Sequence, residues 1–257
     1  MADEGARPRG RGQHRPGKAG PAATRNAAVR VKSAGRRKPS SNKWLSRQLN
    51  DPYVAEARRL GYRSRAAFKL IELDDRFRLL LPGRRIVDLG CAPGGWTQVA
   101  VERVGAGVGR GKVVGVDLAD TAAIRGATVL RADIYDPSVS AALKAEFGGL
   151  ADIVLSDMAP STTGHAATDH LRIVGLTEAA FSVAAEILKP GGAFVAKVFQ
   201  GGAEGPLLAR LKQAFAEVRH AKPPASRAQS AETYVVAKGF RGHGAGPRGG
   251  GPLSSSG

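Results

Sequence analysis

The chain has 257 residues, enough for one sizeable domain or two small ones with a real core. It carries 39 Lys/Arg against 22 Asp/Glu, a formal net charge of +17, and its 42% hydrophobic content excludes a chain disordered throughout. Its one cysteine, Cys91, excludes an intrachain disulfide framework and a cysteine-based zinc site. The five histidines show no metal-ligand spacing, so no metal is expected. No stretch approaches the ~18 uninterrupted apolar residues of a membrane span, and the N-terminus lacks the apolar block of a secretory signal. A cytoplasmic protein with no membrane partner is expected, and a monomer is assumed.

The charge is unevenly spread. Residues 1–50 hold 13 Lys/Arg against only Asp3 and Glu4, and residues 241–257 add Arg241 and Arg248 with no acid. The stretch 51–240 therefore has 24 basic and 20 acidic residues, a net charge of only +4. Both ends are rich in Gly, Pro and Ser and poor in large apolar residues, so they cannot bury enough surface to offset chain entropy. The expected organisation is a disordered basic tail over 1–40, a folded domain over 41–240 and a disordered Gly-rich tail over 241–257. For the N-terminal tail two readings stay open, a solvated arm and an electrostatic arm for nucleic acid. Asp3, Glu4 and the repeated Gly and Pro argue against an amphipathic targeting helix.

Within the central stretch, Ala66, Leu70, Leu73 and Phe77 recur at i, i+4, i+7 and i+11, which predicts a helix near 64–78 with Lys69 beside its apolar stripe. Short apolar runs follow at Arg85–Leu89, Lys112–Val116, Ala127–Arg131, Asp152–Leu155, Gly192–Val198 and Thr233–Lys238. They alternate with helical patterns at Trp96–Val104, Pro137–Phe147, His170–Leu188 and Pro206–Phe215. Lys189-Pro190-Gly191-Gly192 reads as the stop of the third of these helices. The alternation predicts an α/β domain with a mainly parallel sheet.

The segment Val87-Asp88-Leu89-Gly90-Cys91-Ala92-Pro93-Gly94-Gly95-Trp96 follows the first strand and opens a helix, where an open α/β sheet places its ligand crevice. Ala92 stands where a dinucleotide site needs a second glycine against the pyrophosphate. A loop that cradles no phosphate suits S-adenosyl-L-methionine. Asp117 at the end of the second strand can accept from ribose hydroxyls, and Asp133 after the third can accept from an adenine amino group. The candidate cofactor-binding set is Asp88, Gly90, Pro93, Gly94, Trp96, Asp117, Asp133 and Asp157.

Three segments together resemble the FtsJ-type ribosomal RNA large-subunit 2′-O-methyltransferase (RlmE) family, over about residues 45–239: Asp88–Trp96, Leu155-Ser156-Asp157-Met158-Ala159-Pro160, and Val195-Ala196-Lys197-Val198-Phe199-Gln200-Gly201. The resemblance implies a Rossmann-like class I S-adenosylmethionine-dependent methyltransferase fold, with a seven-stranded mainly parallel sheet whose last strand is antiparallel. It also implies methylation of the 2′-hydroxyl of a uridine in the A-loop of 23S ribosomal RNA, in the large subunit. The family's Lys-Asp-Lys-Glu tetrad falls on Lys69, Asp157, Lys197 and Glu232. A ribose hydroxyl is a weak acid that must lose its proton as it attacks, so the site wants a base in hydrogen-bond reach, and Lys197 is the candidate general base. Methylation of transfer RNA, and a ribosome-assembly role beside which methylation is dispensable, are the alternatives.

Competing chemistries lack their residues. Asp157-Met158-Ala159-Pro160 is not the Asn/Asp-Pro-Pro-aromatic loop common in amino-methyltransferases. Carbon-5 pyrimidine methylation needs a cysteine nucleophile, and Cys91 reads as a small buried apolar residue of the loop. Arg58, Arg59, Arg63, Arg65 and Lys69, interleaved with Tyr53, Tyr62 and Phe68, form a candidate RNA surface to which Lys222, Ser226 and Arg227 add. The bland reading of that cluster is a solvated helix face with Phe68 in the core.

Overall fold

The structure is a computed structural model that describes residues 49–160, 165–199 and 205–242. The chain divides into two units, 1–52 and 53–257. Of the first only residues 49–52 are described, so the N-terminal tail lies outside the described residues, as does the C-terminal tail beyond Gly242.

The described residues form α1 (Pro52–Leu60), α2 (Ala66–Phe77), β1 (Arg85–Leu89), α3 (Gly95–Val104), β2 (Lys112–Asp117), β3 (Ala127–Arg131), α4 (Ser138–Phe147), β4 (Ala151–Ser156), α5 (Ala166–Ile187), β5 (Leu188–Phe199), α6 (Gly205–Ala214), β6 (Phe215–Ala221) and β7 (Glu232–Phe240), all but Pro52 in the second unit. The strands form one sheet in the order β3-β2-β1-β4-β5-β7-β6. β3, β2, β1, β4 and β5 are parallel, while β7 lies antiparallel between β5 and β6. This is the Rossmann-like methyltransferase sheet with an antiparallel last strand. The order reverses at β1/β4, so the ligand crevice is expected beyond the carboxyl ends of β1, β2 and β4.

Both faces of the sheet are covered, which is why the central strands read as continuous apolar runs. On one face Val87, Leu89, Val114, Val154, Phe194 and Val235 pack with residues of α4, α5 and α6. On the other, Ile86, Val113, Ile153, Val195, Tyr234 and Val236 pack with Leu70 and Leu73 of α2 and Trp96, Val99 and Ala100 of α3. Side chains alternate along a strand, so Glu232 and Tyr234 share the α2/α3 face. Lys197 is the cross-strand partner of Tyr234 and, two residues beyond Val195, points the same way.

Three elements differ from the sequence reading. β6 was missed, only its first residue Phe215 having been counted to the preceding helix, because Phe215-Ala216-Glu217-Val218-Arg219-His220-Ala221 has only its two ends buried. Its charged middle is typical of an edge strand, and β6 is an edge of this sheet. α1 was missed, since only Ala57 of its nine residues is buried. Finally, Lys189-Pro190-Gly191-Gly192 does not merely stop a helix. β5 already begins at Leu188, and the register jumps from Ala151↔Leu188 to Ile153↔Ala193, so these residues are a bulge within the strand.

Candidate active site

The loop after β1 turns at Gly90 (φ +74°) and Gly94 (φ +113°), conformations that side chains disfavour. Space demands glycine there as well. A Cβ on Gly90 would lie 2.2 Å from Cγ of Met158, and one on Gly94 2.5 Å from Cδ1 of Ile124. The loop is thus pressed against the segment after β4 on one side and against the β2–β3 connection on the other. The ends of β1, β2 and β4 surround a cavity of about 740 Å3, within the range of small-molecule sites. Its wall includes Gly90, Ala92, Asp117, Asp133, Asp157 and Met158, and Arg172 from α5.

Three carboxylates against one arginine in this lining favour a ligand with cationic, hydroxyl or amino groups over one with phosphates. Asp117 ties this wall together: Oδ2 accepts the Ala92 N–H at 2.8 Å and Oδ1 the Ala119 N–H at 2.8 Å. A carboxylate has about four lone-pair sites, so both oxygens keep acceptor capacity. Asp133 Oδ1 accepts the Tyr135 N–H at 3.0 Å in a turn that directs the residue to the cavity.

Other residues of the predicted cofactor set lie off the cavity wall. Asp88 is buried beneath the loop, with Oδ2 accepting the Thr97 hydroxyl at 2.6 Å. Its Oδ1 has no partner among the described residues. Burial, with smaller contributions from Asp157 and Asp117, pushes its carboxyl up to about 7 despite the Thr97 bond. The Trp96 side chain is core: its indole Nε1–H donates to the Ala66 carbonyl at 2.8 Å and its ring lies 5.6 Å from that of Tyr234. Only its backbone, at the start of α3, is left to face a ligand. Pro93 is exposed and Gly94 buried. Cys91 is buried, and burial pushes its thiol up to about 12, so it is inert as a nucleophile.

The four tetrad residues come together from four elements. Lys197 Nζ lies 2.8 Å from Asp157 Oδ1 and also donates to the Asp157 backbone carbonyl at 2.8 Å. Lys69 Nζ lies 2.7 Å from Glu232 Oε1 and 3.8 Å from Asp157 Oδ2. Both lysines are only 7% exposed, a burial that such side chains accept only when paired. Burial works against the Glu232 carboxylate, but the Lys69 and Lys197 ammonium groups, with hydrogen bonds from Lys69 and Ser226, outweigh it and hold its carboxyl below the usual range.

A fifth residue was missed from sequence. The Tyr234 hydroxyl donates to Asp157 Oδ1 at 2.6 Å and stands 3.3 Å from Glu232 Oε1, bridging the two carboxylates. Burial, then the charges of Asp157 and Glu232, pushes its phenol well above the usual range, so it stays a neutral donor. Its signal was available: two residues from Glu232 on a strand, it shares Glu232's face.

The candidate RNA surface is largely committed elsewhere. The Arg63 guanidinium donates to the carbonyls of Ala122 (2.6 Å), Ala123 (2.6 Å) and Pro93 (3.3 Å), strapping the two cavity-side loops together. Arg65 donates to the Ala225 carbonyl, and Arg59 pairs with Glu56 at 2.6 Å. Lys222 donates to the carbonyls of Ala228 and Ser230. Phe68 is core between Tyr53 and Tyr62, whose hydroxyls bond Glu72 and Glu102. The aromatics are therefore packing residues, and Arg58 is left as an exposed cation on this face. Among the described residues no cluster of His, Cys, Asp and Glu could hold a metal, and no helix is long and apolar enough to cross a membrane.

The family model for FtsJ-like methyltransferases matches residues 62–240. The ribosomal RNA large subunit methyltransferase E of Paramagnetospirillum magneticum is 64% identical over 226 residues, covering 87% of this chain and 93% of that protein. The protein of the same name from Rhodospirillum rubrum is 60% identical over 86% of this chain and 85% of its own length. Among solved structures, a ribosomal RNA methyltransferase from Plasmodium falciparum superposes with a TM-score of 0.63 at 34% identity, covering 71% of this chain and 100% of that one. With the sheet order, the glycine loop and the buried tetrad, these matches place the chain in the FtsJ-like methyltransferase family.

Proposed function

We propose that the protein methylates large-subunit ribosomal RNA on the 2′-hydroxyl of a uridine in the 23S A-loop, using S-adenosyl-L-methionine, with Lys197 as general base. One observation carries the chemistry. Asp157 lies on the wall of the cavity and is at the same time the residue that Lys197, Lys69 and Tyr234 converge on. The ribosomal RNA substrate rests on the names of the relatives; the uridine and the A-loop rest on the family resemblance.

The acidic cavity wall fits the cofactor. Asp117 would hold its ribose hydroxyls and Asp133 its adenine amino group, and Asp157, which also lines the cavity and contacts Lys197, would lie toward the reacting end. When bound, S-adenosylmethionine supplies an electrophilic methyl whose carbon–sulfur bond breaks as the new carbon–oxygen bond forms. The chain's own residues deal with the proton. In its amine form Lys197 spends its two N–H groups on Asp157 Oδ1 and on the Asp157 carbonyl, which aims the lone pair along its third direction. There it accepts the hydroxyl proton as the oxygen attacks. Beside it Lys69 is neutralised by Glu232 at 2.7 Å. The resulting ammonium is stabilised by the Asp157 carboxylate already in contact with it.

The test is to map 2′-O-methyl groups in ribosomal RNA with and without the gene. The expected result is one A-loop uridine that loses its methyl; an unchanged ribosomal map, or loss of a base methyl instead, would overturn the reading.

A further inference from the structure

The segment between β6 and β7, residues 222–231, is pinned before it reaches Glu232. Lys222 Nζ closes it on itself by donating to the Ala228 carbonyl at 3.2 Å and the Ser230 carbonyl at 2.7 Å. Glu72 of α2 accepts the Ala225 N–H at 2.7 Å, and Arg65 donates to the Ala225 carbonyl. Ala225 is fully buried with Ala57 and Phe68. The next residue, Ser226, is 6% exposed and donates from Oγ to Glu232 Oε1 at 2.9 Å. Lys69, Ser226 and Tyr234 thus all converge on that one oxygen.

We propose that Ser226 is a positioning residue for methyl transfer: its hydroxyl holds the Glu232 carboxylate on Lys69 and so keeps Lys69 from competing with Lys197 for Asp157. The proposal rests on Lys197 acting as the base. Lys69 sits between two carboxylates, closer to Glu232 (2.7 Å) than to Asp157 Oδ2 (3.8 Å). Tyr234, at 3.3 Å from Glu232, is the weaker tether, since its proton is directed to Asp157 at 2.6 Å. Without Ser226 the carboxylate can turn about its terminal torsion, which is a broad well. Lys69 then shifts toward Asp157, and two cations share the carboxylate that aims Lys197.

The groups facing Glu232 are Lys69 from α2, Lys197 from β5, Asp157 after β4, Tyr234 on its own strand and Ser226. Ser226 is among those that hold the Glu232 carboxyl low, so its removal moves that carboxyl upward.

The experiment uses the purified full chain, S-adenosylmethionine and large ribosomal subunits from a strain lacking the gene. Ser226→Ala should lower kcat about ten-fold, the order expected for one hydrogen bond to a charged group, with KM for cofactor and subunit unchanged. In a Glu232→Gln background the same change should cost less than about two-fold, because the Lys69 ion pair that the hydroxyl supports is already lost. Ser226→Cys, close in size and a weaker donor, should lose less than Ser226→Ala, and serves where the alanine variant folds poorly. Equal losses with and without Glu232, a loss confined to KM, or no loss would overturn the positioning role. Wild-type protein assayed alongside separates the two readings: active wild type with an unaffected Ser226→Ala variant removes only this proposal, whereas inactive wild type removes both.

Discussion

Tyr234→Phe isolates the one tetrad contact that sequence reading missed. The ring is fully buried, packed against Trp96 and beneath the Lys69 ammonium 5.7 Å from its centroid, and phenylalanine keeps all of that packing. What disappears is the 2.6 Å bond to Asp157 Oδ1. A hydrogen bond to a charged group is worth about 1.5–3 kcal/mol. Asp157 retains Lys197 at 2.8 Å, so the lower end applies, about 1.5 kcal/mol. In a domain of this size that lowers Tm by roughly 3–6 °C. If the same bond orients Asp157 in the transition state, single-turnover methyl transfer falls about ten-fold with cofactor affinity unchanged. The phenol is held neutral by burial and by Asp157 and Glu232, so the ratio of wild-type to variant rates should be flat from pH 6 to 9. Thermal unfolding and single-turnover transfer to purified subunits check both numbers. A variant with wild-type Tm and a rate within about two-fold of wild type would refute the reasoning.

Asp88 makes stability depend on pH. Its carboxyl, pushed up to about 7 in the fold, keeps a proton that the unfolded chain releases near the usual value of about 3.9. The folded state therefore binds more protons between these values, so this group's contribution falls as pH rises from about 4 to about 7 and stays low above. Asp88→Asn does not titrate, so its Tm should improve relative to wild type between pH 5 and 8; parallel Tm curves would exclude the effect. On the surface, Arg58→Glu with Arg59→Glu should weaken RNA binding and flatten its salt dependence. Arg59's exposed pair with Glu56 is worth little, so it does not shield the patch, and an unchanged salt slope would remove α1 from the RNA interface.

Legibility in the sequence followed burial. The central strands were readable because both faces of the sheet are covered, giving runs such as Ile86-Val87 and Ile153-Val154-Leu155 with no exposed position. β6 and α1 were not, because an edge strand and a helix that buries only Ala57 carry weak patterns. The four tetrad residues were placed by family resemblance, and the fold brings them to within hydrogen-bonding and ion-pair distances. What spacing could not convey was which cations are already spent. Arg63 on three carbonyls and Lys222 on two look identical, in sequence, to arginines and lysines awaiting phosphate. Nor could spacing show that the Trp96 indole N–H is taken by the Ala66 carbonyl, which leaves its backbone for any ligand contact.

In the proposed reaction Lys197, aimed by Asp157, removes the proton from the attacking hydroxyl. The most direct measurement is single-turnover methylation of large subunits by Lys197→Ala, with cofactor affinity measured in parallel by calorimetry. Cofactor binding should be unchanged and the rate lower by about 100-fold or more, the usual worth of a general base. Near-wild-type methyl transfer with cofactor binding intact would contradict it.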